Sequence, residues 1–258
     1  MTSTIWATGD YPAVATDLIA ELGPILVDAC AVQSGQRVLD VAAGSGNVAI
    51  PAALRGAEVT ASDVTPELLA VGERIAAEQG AKLTWDQGDA QALPYADNEF
   101  DTVVSCLGVM FAPKHQPTAD ELVRVCRPGG HVGLINWTPE GFIGQMFAAM
   151  KPFAPPPPPG AQPPSLWGSE AHLRELFGDR LQDVHVEKRQ LRVSHFATAA
   201  EFREYFKSNY GPTLAVYGHS ADRRADLDRA LDELGRRFDL GGGVMEWEYL
   251  LFTAQKPA

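Results

Sequence analysis

Residues 37–47 read Arg-Val-Leu-Asp-Val-Ala-Ala-Gly-Ser-Gly-Asn. Arg37 to Ala42 is a short run rich in Val and Leu, of strand length. Gly44-Ser-Gly46 interrupts it, and Val48-Ala-Ile-Pro-Ala-Ala-Leu54 continues in helical composition. A strand feeding a glycine turn and then a helix lets the backbone approach a ligand closely, because glycine takes positive φ without a Cβ penalty. The same short pattern also serves as a plain structural turn, so the flanking sequence has to decide between the two.

Outward from this stretch the alternation repeats. Glu58–Ser62 reads as a second strand and Pro66–Gln79 as a helix with proline in its first turn. Strands are predicted at Lys82–Trp85, Phe100–Ser105 and His131–Trp137, with a helix from Thr118 to Val125 stopped by Pro128-Gly-Gly130. Ahead of the first strand, 13–33 has helical spacing that Gly23-Pro24 is expected to interrupt. Strands separated by helical patterns mean βαβ units and a mostly parallel sheet.

Beyond residue 150 the composition changes. Residues 151–164 hold eight prolines, five of them consecutive from Pro155 to Pro159, which favours an extended polyproline connector. A helix (Ser169–Phe177), a strand (Asp183–Ser194), helices at Thr198–Asn209 and Ala221–Phe238 and a strand at Glu246–Gln255 complete the reading. The expected fold is α/β, a doubly wound seven-stranded mostly parallel sheet with a helical lid insertion. The expected organisation is a helical cap over 1–34, a ligand-binding core over 35–140 and a remainder over 141–258. That last part carries the Pro-rich connector at 151–164 and the lid at about 198–240.

Lys and Arg total 21 against 33 Asp and Glu, a net charge of −12. A polyanion is repelled by such a surface, so no nucleic-acid partner is expected. Cys30, Cys106 and Cys126 form no CxxC pair, and no Cys/His cluster has metal-ligand spacing, so no metal is expected. No run of 18 apolar residues occurs, and the first residues lack a basic, then apolar leader. The expectation is a cytoplasmic protein, monomer or homodimer, with no membrane partner.

Two carboxylates sharpen the ligand reading. Asp63 follows the second strand, 19 residues after Gly44, where an acid accepts hydrogen bonds from a ribose diol. Asp89, in Gln87-Gly-Asp-Ala-Gln-Ala-Leu-Pro-Tyr95, follows the third strand, in position for an exocyclic amine. Gly44-x-Gly46-x-x-Ala49 also fits the dinucleotide fingerprint, and Asp63 suits NAD equally well. Asp40 weighs against NAD. A carboxylate at the end of the first strand repels a pyrophosphate but favours an ammonium and a sulfonium.

At these residues a family emerges. Val38-Leu-Asp-Val-Ala-Ala-Gly-Ser-Gly46 resembles the first motif of the class I S-adenosylmethionine-dependent methyltransferases, and Ser62-Asp-Val-Thr-Pro-Glu-Leu-Leu69 resembles the second. Gly88-Asp-Ala-x-x-Leu-Pro-Tyr95 with Phe100-Asp101, and Leu122-x-Arg-Val-x-Arg-Pro-Gly-Gly130, resemble the later ones, in the order of the ubiquinone/menaquinone-biosynthesis branch. The resemblance implies S-adenosylmethionine as cofactor. It places Ala42, Gly44 and Gly46 against the methionine part, Asp40 near its amino end, Asp63 on the ribose, and Val64, Asp89 and Ala90 at adenine. Cys106 and Leu107 then line the methionine amine, and Trp6 and Tyr11 close over it. Ala42 departs from the family, which usually has glycine there. The runner-up readings are a cofactor-binding protein without catalysis and a NAD-dependent oxidoreductase.

A sulfonium is already a good leaving group, so methyl transfer can rest on proximity and alignment, worth up to about 7–11 kcal/mol. Aromatic residues in the predicted pocket-forming segments suit a flat, largely apolar ligand, and the expected acceptor is a small aromatic or heteroaromatic metabolite: Phe111, Trp137, Trp167, Tyr205 and Tyr210 are its candidate contacts. His115, in a predicted loop after the fourth strand, is the candidate general base.

Overall fold

The structure, a computed structural model, describes residues 3–258. Seven strands form one sheet: β1 (Arg37–Val41), β2 (Glu58–Asp63), β3 (Thr84–Gln87), β4 (Phe100–Cys106), β5 (Cys126–Trp137), β6 (Gln182–Val193) and β7 (Met245–Gln255). Their spatial order is β3-β2-β1-β4-β5-β7-β6. The first five are parallel, while β7 runs antiparallel between β5 and β6. The helices are α1 (Ser3–Trp6), α2 (Tyr11–Leu18), α3 (Leu22–Ala29), α4 (Ala49–Leu54), α5 (Pro66–Gln79), α6 (His115–Val125), α7 (Phe142–Met150), α8 (Glu170–Phe177), α9 (Ala199–Asn209), α10 (Gly211–His219) and α11 (Arg224–Phe238).

Central parallel strands are covered on both faces, which is why β1 and β4 are apolar almost without alternation. The two faces can be told apart on β5. Gly133 lies under α3, where a Cβ would run into the Cys30 sulfur. Its neighbour Leu134 pairs with Phe252, whose ring stacks on Phe177 of α8 at 5.4 Å. Successive strand residues point to opposite faces, so α3 and α8 cover opposite sides of the sheet.

Several boundaries differ from the sequence reading. Gly23-Pro24 does not interrupt a helix; the break falls at Ile19–Glu21, and Pro24 sits in the first turn of α3, where a missing N–H costs nothing. β5 begins at Cys126 rather than after Pro128-Gly-Gly130, its register against β4 shifting where those residues intervene. α6 starts at His115, three residues early. Three helices escape the sequence reading, the four-residue α1 among them. α7 is apolar nearly all round, and α10 is short and carries Gly211, Pro212 and Gly218. The segment between β6 and β7 is helical as expected, with α10 as an additional helix.

Gly133 is thus the point where α3 seats on the sheet. Gly133→Ala is expected to destabilise the fold by about 1–3 kcal/mol through overpacking. Urea denaturation reads this directly, and an unchanged midpoint would sink the packing account.

Candidate active site

The carboxyl ends of β3, β2, β1 and β4 stand side by side, and the sheet's connections reverse direction between β1 and β4. Open α/β sheets bind ligands at that reversal. A cleft opens there, lined by Ala42 and Gly44 after β1, Asp63 and Val64 at β2, Gly88 to Gln91 after β3, and Leu107, Gly108 and Phe111 after β4. Trp6 and Tyr11 enter from the N-terminal segment. Its volume is about 100 Å³, below the roughly 300–1,000 Å³ usual for small-molecule sites.

Asp63 is the junction of the site. Its Oδ2 accepts from the Gly44 amide at 2.8 Å and its Oδ1 from the Thr65 amide at 2.8 Å. Burial raises its pKa while these amides pull the other way. Asp40 is 1 % exposed and sits behind the glycine turn. One oxygen accepts from the Ala49 amide at 2.9 Å, and the other, Oδ1, has no partner. Burial pushes its pKa up to about 8. A buried carboxyl with one unpaired oxygen fits a cationic ligand group nearby.

Asp89 is exposed at the mouth. Its Oδ1 accepts from the Gln91 amide at 2.9 Å, and both its oxygens accept from Gln91 Nε2, at 3.2 and 3.3 Å. Gln91 Oε1 in turn accepts from the Lys114 amide, so this side chain ties the β3 edge of the cleft to the start of α6. The floor is strained at two places. Ala42 (φ 55°) and Leu107 (φ 61°) both adopt the left-handed conformation that L-residues avoid. Gly108 makes room for Ala42, since a Cβ at Gly108 would strike the Ala42 carbonyl oxygen.

The other expected residues divide. Ala90 lines the cleft, and Tyr210 reaches its aromatic edge, 5.9 Å from Trp6 and 6.5 Å from Tyr11 between ring centroids. Gly46 lies behind the wall, where a Cβ would meet Trp85 and Ile50. Cys106 is half-buried outside the lining, its thiol pKa raised by burial and then by Asp40. Trp137 is buried against Trp247, ring centroids 5.9 Å apart, away from the cleft. Trp167 is likewise buried, between His115 and Phe177. Tyr205 donates to Asp17 Oδ2 at 2.8 Å, outside the lining.

His115 is not the loop residue the sequence implied. It is fully buried at the start of α6, beneath Trp167, with Nδ1 2.9 Å from His172 Nε2. Burial and the neighbouring imidazole lower its pKa to about 4. It does not line the cleft and reaches no acceptor there. His172, on α8, is the partner that buries with it. Sequence reasoning missed Leu68, Gly88, Gln91, Gly108, Ala112 and Pro113 as lining residues. Only Gly88 and Gln91 carried a signal, being neighbours of Asp89 in its motif.

Known proteins share this architecture. The family described as "Methyltransferase domain" matches residues 38–130. The uncharacterized protein Rv1405c of Mycobacterium tuberculosis is 52 % identical over 255 residues, covering 98 % of this chain and 93 % of its own length. A demethylmenaquinone methyltransferase of Renibacterium salmoninarum is 41 % identical over 106 residues, 41 % of this chain and 43 % of that protein. The crystal structure of YcgJ from a Bacillus superposes with a TM-score of 0.63 at 20 % identity, over 91 % of this chain and 97 % of that one. The matched domain spans β1 to the start of β5, the part of the sheet that builds the cleft, and with its flanking elements the chain belongs to the class I S-adenosylmethionine-dependent methyltransferases, in one family with the mycobacterial protein.

Proposed function

We propose that this methyltransferase acts on a small, flat, largely apolar metabolite seated against Trp6, Phe111 and Tyr210, with cofactor held along the ends of β1 to β4. The observation that carries the reading is the convergence of Asp63, Asp89, the Gly44 turn and an aromatic cluster on one cleft. Trp6 is the hub of that cluster. Its ring centroid lies 5.3 Å from Tyr11, 4.6 Å from Phe111 and 5.9 Å from Tyr210, all edge to face.

S-adenosylmethionine supplies an electrophilic methyl group on a sulfonium. The chain's own residues bind and align. Asp63 takes the ribose hydroxyls with the lone pairs left by Gly44 and Thr65. Asp89, braced by Gln91, accepts from the adenine amine beside Val64 and Ala90. The unpaired Asp40 oxygen draws the ammonium end toward the left-handed backbone at Ala42. Trp6 and Tyr11 exclude water from the transfer region, and the acceptor is oriented by ring contact. We read the enzyme as cytoplasmic, a monomer or homodimer.

Asp63→Ala is expected to weaken cofactor binding by about 10- to 1,000-fold, one or two charge-assisted hydrogen bonds at roughly 1.5–3 kcal/mol each. Calorimetry with S-adenosylhomocysteine measures it, and native affinity in the variant contradicts the assignment. The narrow cleft demands movement of its aromatic cover. Amide exchange across 6–11 and 205–210 is therefore expected to slow when S-adenosylhomocysteine binds; identical exchange with and without it would mean the cover does not close.

Asp40 gives a pH prediction. Its folded-state pKa is raised from 3.8 to about 8, so the free protein holds a proton there through that window and loses fold stability as pH rises across it. A cationic ligand beside the carboxyl favours the ionised form and releases the proton. Affinity for S-adenosylmethionine is therefore expected to rise with pH toward about 8, by at most about tenfold per unit. Asp40→Asn should flatten this slope. Calorimetry in buffers of different ionisation enthalpy counts the released proton, and a pH-independent affinity in the parent enzyme rejects the scheme.

A further inference from the structure

The proposed acceptor site lacks two things. Among the described residues that line the cleft, none is Lys, Arg or His; the ionisable side chains there are Asp63, Asp89 and Tyr11. Lys114, the next residue along the chain after the lining residue Pro113, is exposed and outside the lining. With Asp63 and Asp89 assigned to the nucleoside, an anionic acceptor, whether carboxylate, phosphate or phenolate, finds no side-chain countercharge in the rest of the lining.

The site also lacks a free base. Asp63 is committed to two amides and Asp89 to Gln91. Tyr11 is held neutral, its pKa raised by burial and by Cys106, Asp63 and Asp40. His115 is sealed beneath Trp167 and bonded to His172. An acceptor that must lose a proton as its new bond forms therefore finds no group to take it.

One acceptor chemistry needs neither feature. We infer that the enzyme methylates an uncharged nitrogen of a planar heteroaromatic compound, giving a cationic N-methyl product. The nitrogen lone pair forms the N–CH3 bond, the S–CH3 bond breaks, and its electron pair stays on sulfur. The positive charge passes from sulfur to nitrogen, and no proton is transferred. The same cleft favours the product's charge. The rings of Trp6, Tyr11 and Phe111, which line the cleft, offer cation–π contacts, and the two carboxylates nearby set a negative field.

This inference rests on the methyltransferase reading, and its test separates the two. Three ligands of matched shape are titrated into the complex with S-adenosylhomocysteine: N-methylquinolinium, 1-methylnaphthalene and 1-naphthoate. The cation is expected to bind at least about tenfold tighter than the neutral ring, and the anion weakest. At saturating S-adenosylhomocysteine, Trp6→Leu should cut the cation's advantage over the neutral ring severalfold, the ratio of the two affinities being the readout so that a general loss of binding leaves it unchanged. With quinoline, turnover should add 15 mass units as a fixed cation, against 14 for methylation with proton loss. Failure of S-adenosylhomocysteine to bind would defeat the methyltransferase reading itself. If it binds but the anion equals or exceeds the cation, or the three do not differ, or none binds, the inference about the acceptor nitrogen alone is overturned.

Discussion

One carboxylate joins the parts of the cleft that have to agree. Asp63 ends β2, yet it accepts from the amide of Gly44, which follows β1, and from Thr65, which leads into α5. The parallel register between β1 and β2 brings Val41 opposite Ser62, so the two strands finish level and the side chain spans the gap without stretching. Hydrogen bonds to an ionised acceptor inside a buried site are among the stronger polar contacts available to a protein. The glycine turn is thereby fixed relative to the β2 edge of the cleft before any ligand arrives. Asp89 and Gln91 repeat the device on β3, more exposed and pinned to the N-terminus of α6.

The strain at Ala42 and Leu107 belongs with that rigidity. Non-glycine residues in the left-handed region cost on the order of 1–3 kcal/mol each and persist only where the surroundings over-determine them. Here the surroundings do so. The Leu107 amide donates to the Ile135 carbonyl at 2.8 Å and its side chain is 3 % exposed, while Ala42 is wedged against Gly108. Both positions lie at the ends of adjacent strands, facing the same cleft. The methyl of Ala42 finds room where Gly108 carries no Cβ.

Much of the sheet was legible because parallel βαβ units write a period into the sequence: short Val/Leu runs, then proline or glycine punctuation, then helical spacing. The strand-end side of the cleft was legible for a related reason, since glycines and acids recur at strand ends. What escaped lies where tertiary contact overrides local pattern. His115 sits between Pro113 and Pro117 and reads as loop; its burial comes from Trp167 and His172, some fifty residues on. Trp137 and Trp167 look like ligand-stacking residues until Trp247 and Phe177 are seen to fill the space around them. α7 shows no amphipathic stripe because it is covered from several sides, α11 and β7 among them. Side-chain identity reported the chemistry available, and only the three-dimensional packing decided which groups reach the cleft.

The order in which the sheet is assembled carries a consequence for biosynthesis. β6 pairs only with β7, and β7 lies between it and the rest of the sheet. While β6 and the three helices after it leave the ribosome, β7, the strand it pairs with, has not been made. β6 waits through more than fifty residues as an exposed strand, in the state most prone to pair with another chain. Its charges suit that wait. Glu187, Lys188, Arg189 and Arg192 put charge along the strand and form ion pairs in the finished molecule, so the nascent edge is kept soluble by residues that later pair across the sheet.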